Sequence, residues 1–264
     1  MLGIDMVVRL AERRTGGILR ALGKRGYFAR DIVRGLRDPG TWVPETLRQM
    51  KNIGVDSVPL GVIVAAFLGG VTAFQTRYQL FPGVQLSVVG LISRQSIVLE
   101  LGPLLTALVL TGRVGARMTA EIGTMRVTEQ IDALETLSFD PVAYLALPRF
   151  IAGVVMLPTL TILANATAIF SAWAILVTAT DVRTADFMSG LRLSFSGFQV
   201  VYSLIKATLF GAAISFVCSY EGYVTEAGAE GVGRSTALAV VLASVSILVL
   251  DAIVAAVLAP FIQA

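Results

Sequence analysis

The chain has 264 residues, of which 55% are hydrophobic and only 15% are charged, and its mean hydropathy is +0.78. Water-soluble domains carry about a quarter charged residues, so this composition excludes a soluble globule and indicates an integral membrane protein. The absence of histidine excludes a histidine-based catalytic dyad or metal site, and the single cysteine, Cys218, excludes a disulfide framework. The predicted fold class is therefore all-α, embedded in a bilayer.

The amino-terminal 51 residues combine basic residues with apolar residues at three- or four-residue steps. Eleven of the 21 Lys and Arg residues precede Ile53, although the net charge is only +3. We interpret residues 1–51 as interfacial helix on the inner leaflet, interrupted at Gly16-Gly17, ended by Asp38-Pro39-Gly40 and followed by Trp42 as an anchor. The alternative is a solvated amphipathic helix packed on another protein. Nucleic-acid binding is disfavoured because no aromatic platform or known motif accompanies the charge.

Residues 52–264 contain five apolar stretches long enough, with their flanks, to cross about 30 Å of hydrocarbon. Residues 142–178 are predicted as one long helix kinked near Pro158, because two pieces would each be too short to span. Residues 76–94, with Pro82-Gly83, are predicted to turn on the far side. The five predicted spans are Val58–Phe74 extended inward by Ile53–Ser57, Ser96–Leu110, Val142–Thr178, Val200–Tyr220 and Thr236–Phe261.

The distribution of cations predicts the orientation of these five spans. With the amino terminus inside, the inner segments hold the eleven early cations and Arg113, Arg117, Arg126, Arg149 and Arg234. The outer segments hold only Arg77, Arg94, Arg183 and Arg192. The positive-inside rule then predicts a cytoplasmic amino terminus, a carboxyl terminus on the other side and a cytoplasmic segment 112–141.

Three ionisable residues lie in or near the predicted spans: Glu100, Lys206 and Asp251. A charge in hydrocarbon costs several kcal/mol, so such groups usually face a cavity or pair with each other. Glu100 and Lys206 are expected at similar depth, where they either flank a lipid headgroup or form a structural pair, and Lys206 alone could extend outward. Leu99 and Leu101 complete the candidate lipid-binding set, and Asp251 is interpreted as a structural hydrogen-bonding group.

The segment 113–141 is predicted to bind another protein. Val127, Ile131 and Leu134 follow i, i+4, i+7 and give a short helix one apolar face, and Thr128 is predicted to begin it. A small loop is not expected to bury Ile131, Leu134 and Leu137 alone, which favours a docking surface over a merely solvated acidic face. The candidate docking residues are Glu121, Thr128, Glu129, Ile131, Asp132, Leu134 and Glu135.

Several separated blocks resemble the MlaE/YrbE family, the permease subunits of ABC transporters that work with MCE proteins to move lipids. The main block is ELGPLLTALVLTGRVGARMTAEIGTMRVTEQIDALETLSFDPVAYLALPRFIAGVVMLP, which begins at Glu100. Others are VPLGVIVAAFLGGVTAFQ, LIKATLFGAAISFVCSYEGY from Leu204 and GAEGVGRSTALAVVLASVSILVLD from Gly228. Many relatives have Arg immediately before the acid that matches Glu100, whereas this chain has Leu99.

The resemblance implies a homodimer in the bacterial inner membrane around a lipid pocket. It also implies a cytoplasmic ABC ATPase dimer docked between spans two and three, a periplasmic ring of MCE domains and, as a further candidate, a small cytoplasmic regulatory subunit. ATP and Mg would be bound by the ATPase, and no cofactor is expected in this chain. The residues agree, since no Gly-Lys-Ser/Thr phosphate-binding loop is present.

Two other function classes remain open at this point. An ion-coupled secondary transporter of a hydrophobic or amphipathic substrate would also use intramembrane acids and lysines, but it commonly shows repeated halves, and no internal repeat is found. A membrane-embedded enzyme would need a nucleophile with a base, or a metal set, and no residue spacing supports one.

Overall fold

The computed structural model describes residues 23–37, 39–226 and 228–262, and it is helical, with no strand in these ranges. Five helices are long and apolar enough to cross a membrane: Trp42–Gln79, Ser87–Val127, Val142–Ala179, Gly197–Tyr223 and Ala229–Leu258. The predictions of an all-α membrane protein and of five spans are confirmed. The predicted amino-terminal helix before residue 23, with its interruption at Gly16-Gly17, lies outside the described residues.

We number the α-helices in chain order. They are α1 over 23–35, α2 Pro39–Ile53, α3 Val58–Gln79, α4 Ser87–Gln95, α5 Gly102–Leu110, α6 Ala116–Val127, α7 Gln130–Thr136, α8 Leu147–Ala179, α9 Thr184–Arg192, α10 Gly197–Tyr223 and α11 Ala229–Ile262. π-helical turns at Ser96–Leu101 and Thr111–Gly115 join α4, α5 and α6 without a break, a third at Val142–Ala146 leads directly into α8, and a 3₁₀ turn at Val55–Ser57 precedes α3.

The second span is much longer than the sequence predicted. Helix continues from Ser87 through α4, α5 and α6 to Val127, so the polar residues after Leu110 extend the span instead of starting a separate segment. Apolar residues of this segment, such as Met118 and Ile122, are buried where α6 packs against α10, and α6 also lies against α11. Tertiary packing therefore overrides the change in polarity that marked a boundary in the sequence, and the turn predicted at 76–94 is confined to 80–86.

The Gly102-Pro103 pair is accommodated by a π-helical turn. Proline has no backbone N–H and its ring clashes with the preceding turn, so the chain inserts one extra residue before it. The Gly102 N–H accordingly donates to the carbonyl of Ile97, five residues earlier. A side chain at Gly102 would meet the amide of Asn165 on α8, so this glycine also permits close helix packing.

Close backbone contacts hold the spans together. A Cβ atom at Gly69 on α3 would collide with the backbone of Ala168 on α8, and one at Gly211 on α10 would collide with that of Gly153. The Ser171 hydroxyl donates to the Ala66 carbonyl at 2.6 Å across the same α3–α8 contact. Small residues at such contacts let helices approach where lipid offers no hydrophobic driving force.

The third span is one helix, as predicted, and Pro158 lies inside α8. The amino-terminal end of the third span supports α1, where Phe28 and Ile32 are buried against Val142 of that span and Tyr220 of α10. Arg25 pairs with Glu221 on α10 at 3.0 Å. The described part of the amino-terminal region is thus packed on this chain's own spans, and its placement on the inner leaflet stays a prediction.

Candidate functional site

The three ionisable residues of the predicted spans meet at one point. Glu100 lies in the π-helical turn of the second span, Lys206 in the middle of α10 and Asp251 on α11. Lys206 Nζ is 2.5 Å from Glu100 Oε2 and 2.8 Å from Asp251 Oδ1. The sequence allows either a Glu–Lys pair or a lipid headgroup site here. The structure shows the pair, with Asp251 as a second partner of Lys206.

The ammonium of Lys206 contacts three groups of this chain. Besides the two carboxylates, Nζ lies 4.8 Å from the centre of the Tyr202 ring, within the range of a cation–π contact. The contact with Glu100 is a hydrogen bond, whereas the alignment at Asp251 Oδ1 is too poor for one and leaves an ion contact. Lys206 has no exposed surface and does not extend outward. The expectation that it could reach a lipid interface is wrong because its charge is neutralised inside the bundle.

Glu100 is the open member of this group. Its side chain is 46% exposed, against 18% for Asp251. Oε2 accepts the hydrogen bond from Lys206, and Oε1 accepts only a long one, 3.4 Å, from the Tyr202 hydroxyl. Leu99 and Leu101 are half-buried on either side. The Glu100 carboxylate therefore lies between apolar side chains and is accessible to molecules outside this chain.

Sequence reasoning missed three polar residues beside this group. Tyr202 precedes Lys206 by one helical turn, a spacing that places both side chains on one face and could have identified it. Asn165 on α8 donates to the Ser203 hydroxyl at 3.2 Å, while its Oδ1 is buried without a partner. The sequence signal for Asn165 is a single Asn in an apolar helix. Its hydrogen-bond partner, Ser203, lies 38 residues away and cannot be predicted from the sequence pattern.

A groove of about 440 Å³ lies elsewhere, between α3 and α8. Phe67, Val71, Phe74 and Ile175 are among its lining residues. Among its described lining residues no side chain is charged, and the hydroxyl of Ser171 is already bonded to backbone, which leaves the amide of Gln75 as the polar group. Because the groove offers no charged group, we place the candidate site at Glu100.

The candidate docking residues divide into buried and exposed groups. Ile131 is fully buried against Ile122 and Leu145, and Leu134 is partly buried beside them. The expectation that Ile131 needs a partner protein for its burial is wrong, because α7 folds back onto this chain's second and third spans. Leu137, in contrast, is exposed.

The acidic residues of the docking segment form different ion pairs within the chain. Glu121 lies in α6, where it accepts from Arg117 at 2.7 Å and pairs with the buried Arg149 of the third span at 3.3 Å. Asp132 accepts from Arg126 at 2.6 Å. Glu121 is thus tied to the third span, and its role toward an ATPase stays a prediction.

The start of α7 differs from the prediction by one residue. Thr128 ends α6, and its hydroxyl donates back to the Thr124 carbonyl at 2.8 Å instead of capping α7. Glu129 takes the N-cap position with a left-handed backbone, φ 58°, and makes no side-chain cap bond. This sharp turn separates α7 from α6. Glu129, Asp132 and Glu135 are exposed, whereas Ile131 is buried.

Comparison with known proteins gives consistent results. Residues 46–257 match the family model described as Permease MlaE. The chain is 35% identical over 237 residues to a probable ABC transporter permease protein of Rickettsia conorii, covering 90% of this chain and 92% of that one. It is 33% identical over 240 residues to the intermembrane phospholipid transport system permease protein MlaE of Haemophilus influenzae, with 90% and 92% coverage. It is also 32% identical over 221 residues to the chloroplastic protein TRIGALACTOSYLDIACYLGLYCEROL 1 of Arabidopsis thaliana, covering 83% of this chain and 63% of that protein.

The matched region contains the charged group formed by Glu100, Lys206 and Asp251, the docking segment and nearly all of the five spans. Both the family model and relatives at more than 30% identity cover most of the chain. This multi-pass membrane protein therefore belongs to the MlaE permease family of ABC transporters.

Proposed function

We propose that this chain is the membrane subunit of an ABC transporter that moves phospholipid, or a related hydrophobic lipid, between the inner membrane and a periplasmic MCE protein. The observation that carries the proposal is the open carboxylate of Glu100, held by Lys206 inside an apolar helix bundle. A polar group kept in a bilayer at several kcal/mol generally serves a substrate pathway. The Haemophilus relative named for intermembrane phospholipid transport supports lipid as the substrate.

The energy for transport comes from a separate ATPase dimer that binds ATP and Mg. It docks on the exposed part of the segment 128–141, where Glu129, Glu135, Leu137 and Phe139 combine charge with exposed apolar surface. The cytoplasmic amino terminus, cytoplasmic docking segment and periplasmic carboxyl terminus follow from the cation distribution. A small cytoplasmic regulatory subunit is a further partner that the family resemblance implies.

The permease works as a homodimer. Helix α11 supports this, because Val241, Val245, Leu248 and Val249 form an apolar row that is about half exposed. A second copy or lipid would cover such a row equally well, so cross-linking between cysteines introduced at Val245 distinguishes them. Cross-linked dimer in native membranes is expected, and exclusively monomeric chain would contradict the homodimer.

Transport by the reconstituted complex is the direct test. The chain, co-purified with its ATPase, is placed in liposomes, and transfer of labelled phospholipid to an MCE acceptor is followed with and without ATP. ATP-dependent transfer that falls in Glu100→Ala, with normal assembly, is expected. Transfer that needs an ion gradient but no ATP would support the ion-coupled secondary transporter instead.

A further inference from the structure

The charges around Glu100 define the kind of headgroup that this site accepts. We propose that Glu100 receives the cationic amine of a zwitterionic phospholipid, so that the transporter prefers phosphatidylethanolamine over phospholipids that lack an amine. The inference rests on the proposed function and adds a substrate class to it. It follows from three features of the site. Lys206 is buried and already paired, the formal charges of the group sum to −1, and the described residues place no unpaired cation beside Glu100.

Lys206 is buried and paired with carboxylates, so it is not available to a lipid phosphate. It is fully buried, and its ammonium already contacts Glu100, Asp251 and the face of the Tyr202 ring. Glu100 accepts a hydrogen bond from this ammonium, and Asp251 and the Tyr202 ring lie in contact with it. A phosphate could bind Lys206 only by displacing a carboxylate, which would leave that carboxylate unpaired in the bundle at a cost of several kcal/mol.

The group as a whole carries an excess negative charge. Two carboxylates and one ammonium sum to −1, and Tyr202 adds no charge at neutral pH. The only well-exposed member is Glu100, which is an acceptor and repels anions. Its Oε1 has just the 3.4 Å contact from Tyr202 and keeps room for a stronger donor. A ligand group that complements this site is a cation with N–H donors.

Among the residues that the structure describes, no neighbouring cation is free to bind a phosphate instead, and the ion pair of Glu100 is with Lys206 alone. Arg94, nearly two helical turns earlier on the second span, is buried, and its guanidinium donates to the carbonyls of Leu191, Leu193 and Ser194 at the end of α9. The residue directly before Glu100 is the uncharged Leu99. Within the described part of the chain, a headgroup amine at Glu100 therefore has no second cation competing for the carboxylate.

The test compares headgroups on identical acyl chains. Wild-type complex with its ATPase is reconstituted, and ATP-driven transfer is measured for phosphatidylethanolamine, phosphatidylcholine, phosphatidylglycerol and N-acetylated phosphatidylethanolamine. A charge-assisted hydrogen bond corresponds to about a tenfold or larger effect, so we expect the ethanolamine lipid to exceed the glycerol lipid by about tenfold. The N-acetylated lipid should behave like the glycerol lipid because its amine is neutral. The choline lipid should be intermediate because it has charge without N–H donors.

Variants then assign the preference to Glu100. Glu100→Gln keeps the shape but removes the charge, and we expect the preference to fall to within about twofold, the level of an uncharged contact. Asp251→Asn brings the formal charge of the group to zero and should reduce the preference without removing it. Glu226→Gln is the matched control, because Glu226 is exposed in the α10–α11 connection and pairs only with Arg234. It should keep the wild-type preference.

The outcomes separate this inference from the proposed function. Equal transfer of all four lipids by the wild type, a preference for the glycerol lipid, or an ethanolamine preference that survives Glu100→Gln would each overturn the inference while leaving lipid transport intact. Failure of the wild-type complex to transfer any lipid with ATP would instead overturn the proposed function. The comparison of the ethanolamine lipid with its N-acetylated form uses only wild-type protein, so it does not depend on the folding of a variant.

Discussion

Replacement of Lys206 by Met tests how strongly the charged group holds the bundle together. At 2.8 Å from Asp251 Oδ1, and at an effective dielectric constant of about 20, the Coulomb attraction is about 6 kcal/mol. Burial of the two charges offsets several kcal/mol of this attraction. The contact with Glu100 adds less than its 2.5 Å distance suggests, because that carboxylate is half exposed and screened. We expect Lys206→Met to lower the free energy of unfolding by about 3–5 kcal/mol, the usual cost of leaving a buried charge unpaired.

Adding Asp251→Asn to this variant provides the internal check. The double variant removes the unpaired buried carboxylate and leaves Glu100 as the one charge, which solvent or headgroups can reach. It should therefore be more stable than Lys206→Met alone, by about 2 kcal/mol, as expected for directly contacting residues.

Unfolding can be followed through Cys218. It is the chain's one cysteine, is fully buried and lies on the same helix as Lys206, so a thiol-reactive dye labels it only when the packing of α10 opens. Labelling is measured against denaturant in detergent for the wild type and both variants. A Lys206→Met protein within about 1 kcal/mol of the wild type, or a double variant no more stable than the single one, would refute this reasoning.

Three further predictions concern other parts of the chain. Gly69→Ala should destabilise the protein by about 1–3 kcal/mol in the same labelling assay, because the added methyl group meets the backbone of α8. Glu129→Arg with Asp132→Arg should release the ATPase from detergent-purified complex, since both acids lie on the exposed side of α7. Asp181 accepts two hydrogen bonds from Arg77, both at 2.7 Å, and these hold the pKa of its carboxyl below the usual value. Because the folded-state pKa is the lower one, this pair stabilises the contact between the end of α3 and the α8–α9 connection above about pH 4, and that stability is lost as the pH falls through the folded pKa. Asp181→Asn should remove this pH-dependent loss of protection in amide exchange.

Each of these predictions has a control. Gly61→Ala, at a position with open space around it, should leave stability unchanged or slightly raised, and an equal loss at both glycines would argue against the α3–α8 collision. Glu226 is also exposed but lies in the α10–α11 connection, so Glu226→Arg should retain the ATPase. Stoichiometric ATPase on the doubly substituted α7 would contradict docking there. If amide protection at this contact falls equally at low pH with and without the Asp181 carboxyl, the ion-pair explanation is contradicted.

The sequence alone was sufficient for the class and the span count. Few charges and five long apolar stretches leave no way to build a soluble core, and in lipid a single chain of this kind satisfies its backbone by forming helices. The same reasoning identified Glu100, Lys206 and Asp251, because an ionisable residue in hydrocarbon must pair or face a cavity. It also predicted the unbroken third span around Pro158 from length alone.

Element boundaries were less predictable where a polar surface is covered by a neighbouring helix. Residues 111–127 look like the start of a soluble segment, yet they continue the second span because α10 and α11 pack against them. Ile131 looked like a residue awaiting a partner protein, but Ile122 and Leu145 cover it within the chain. Periodicity tells which face of a helix is apolar, but it does not tell which neighbour lies against that face.

A five-span helical membrane protein with three ionisable residues inside it can thus be predicted from the amino acids. That Lys206 contacts Glu100, Asp251 and Tyr202, and that Glu100 stays exposed, becomes visible once the helices are packed. A charge in the bilayer must be neutralised, but its partners lie on helices that are distant in sequence. Their packing sets the distances, and the distances decide which charge a ligand meets.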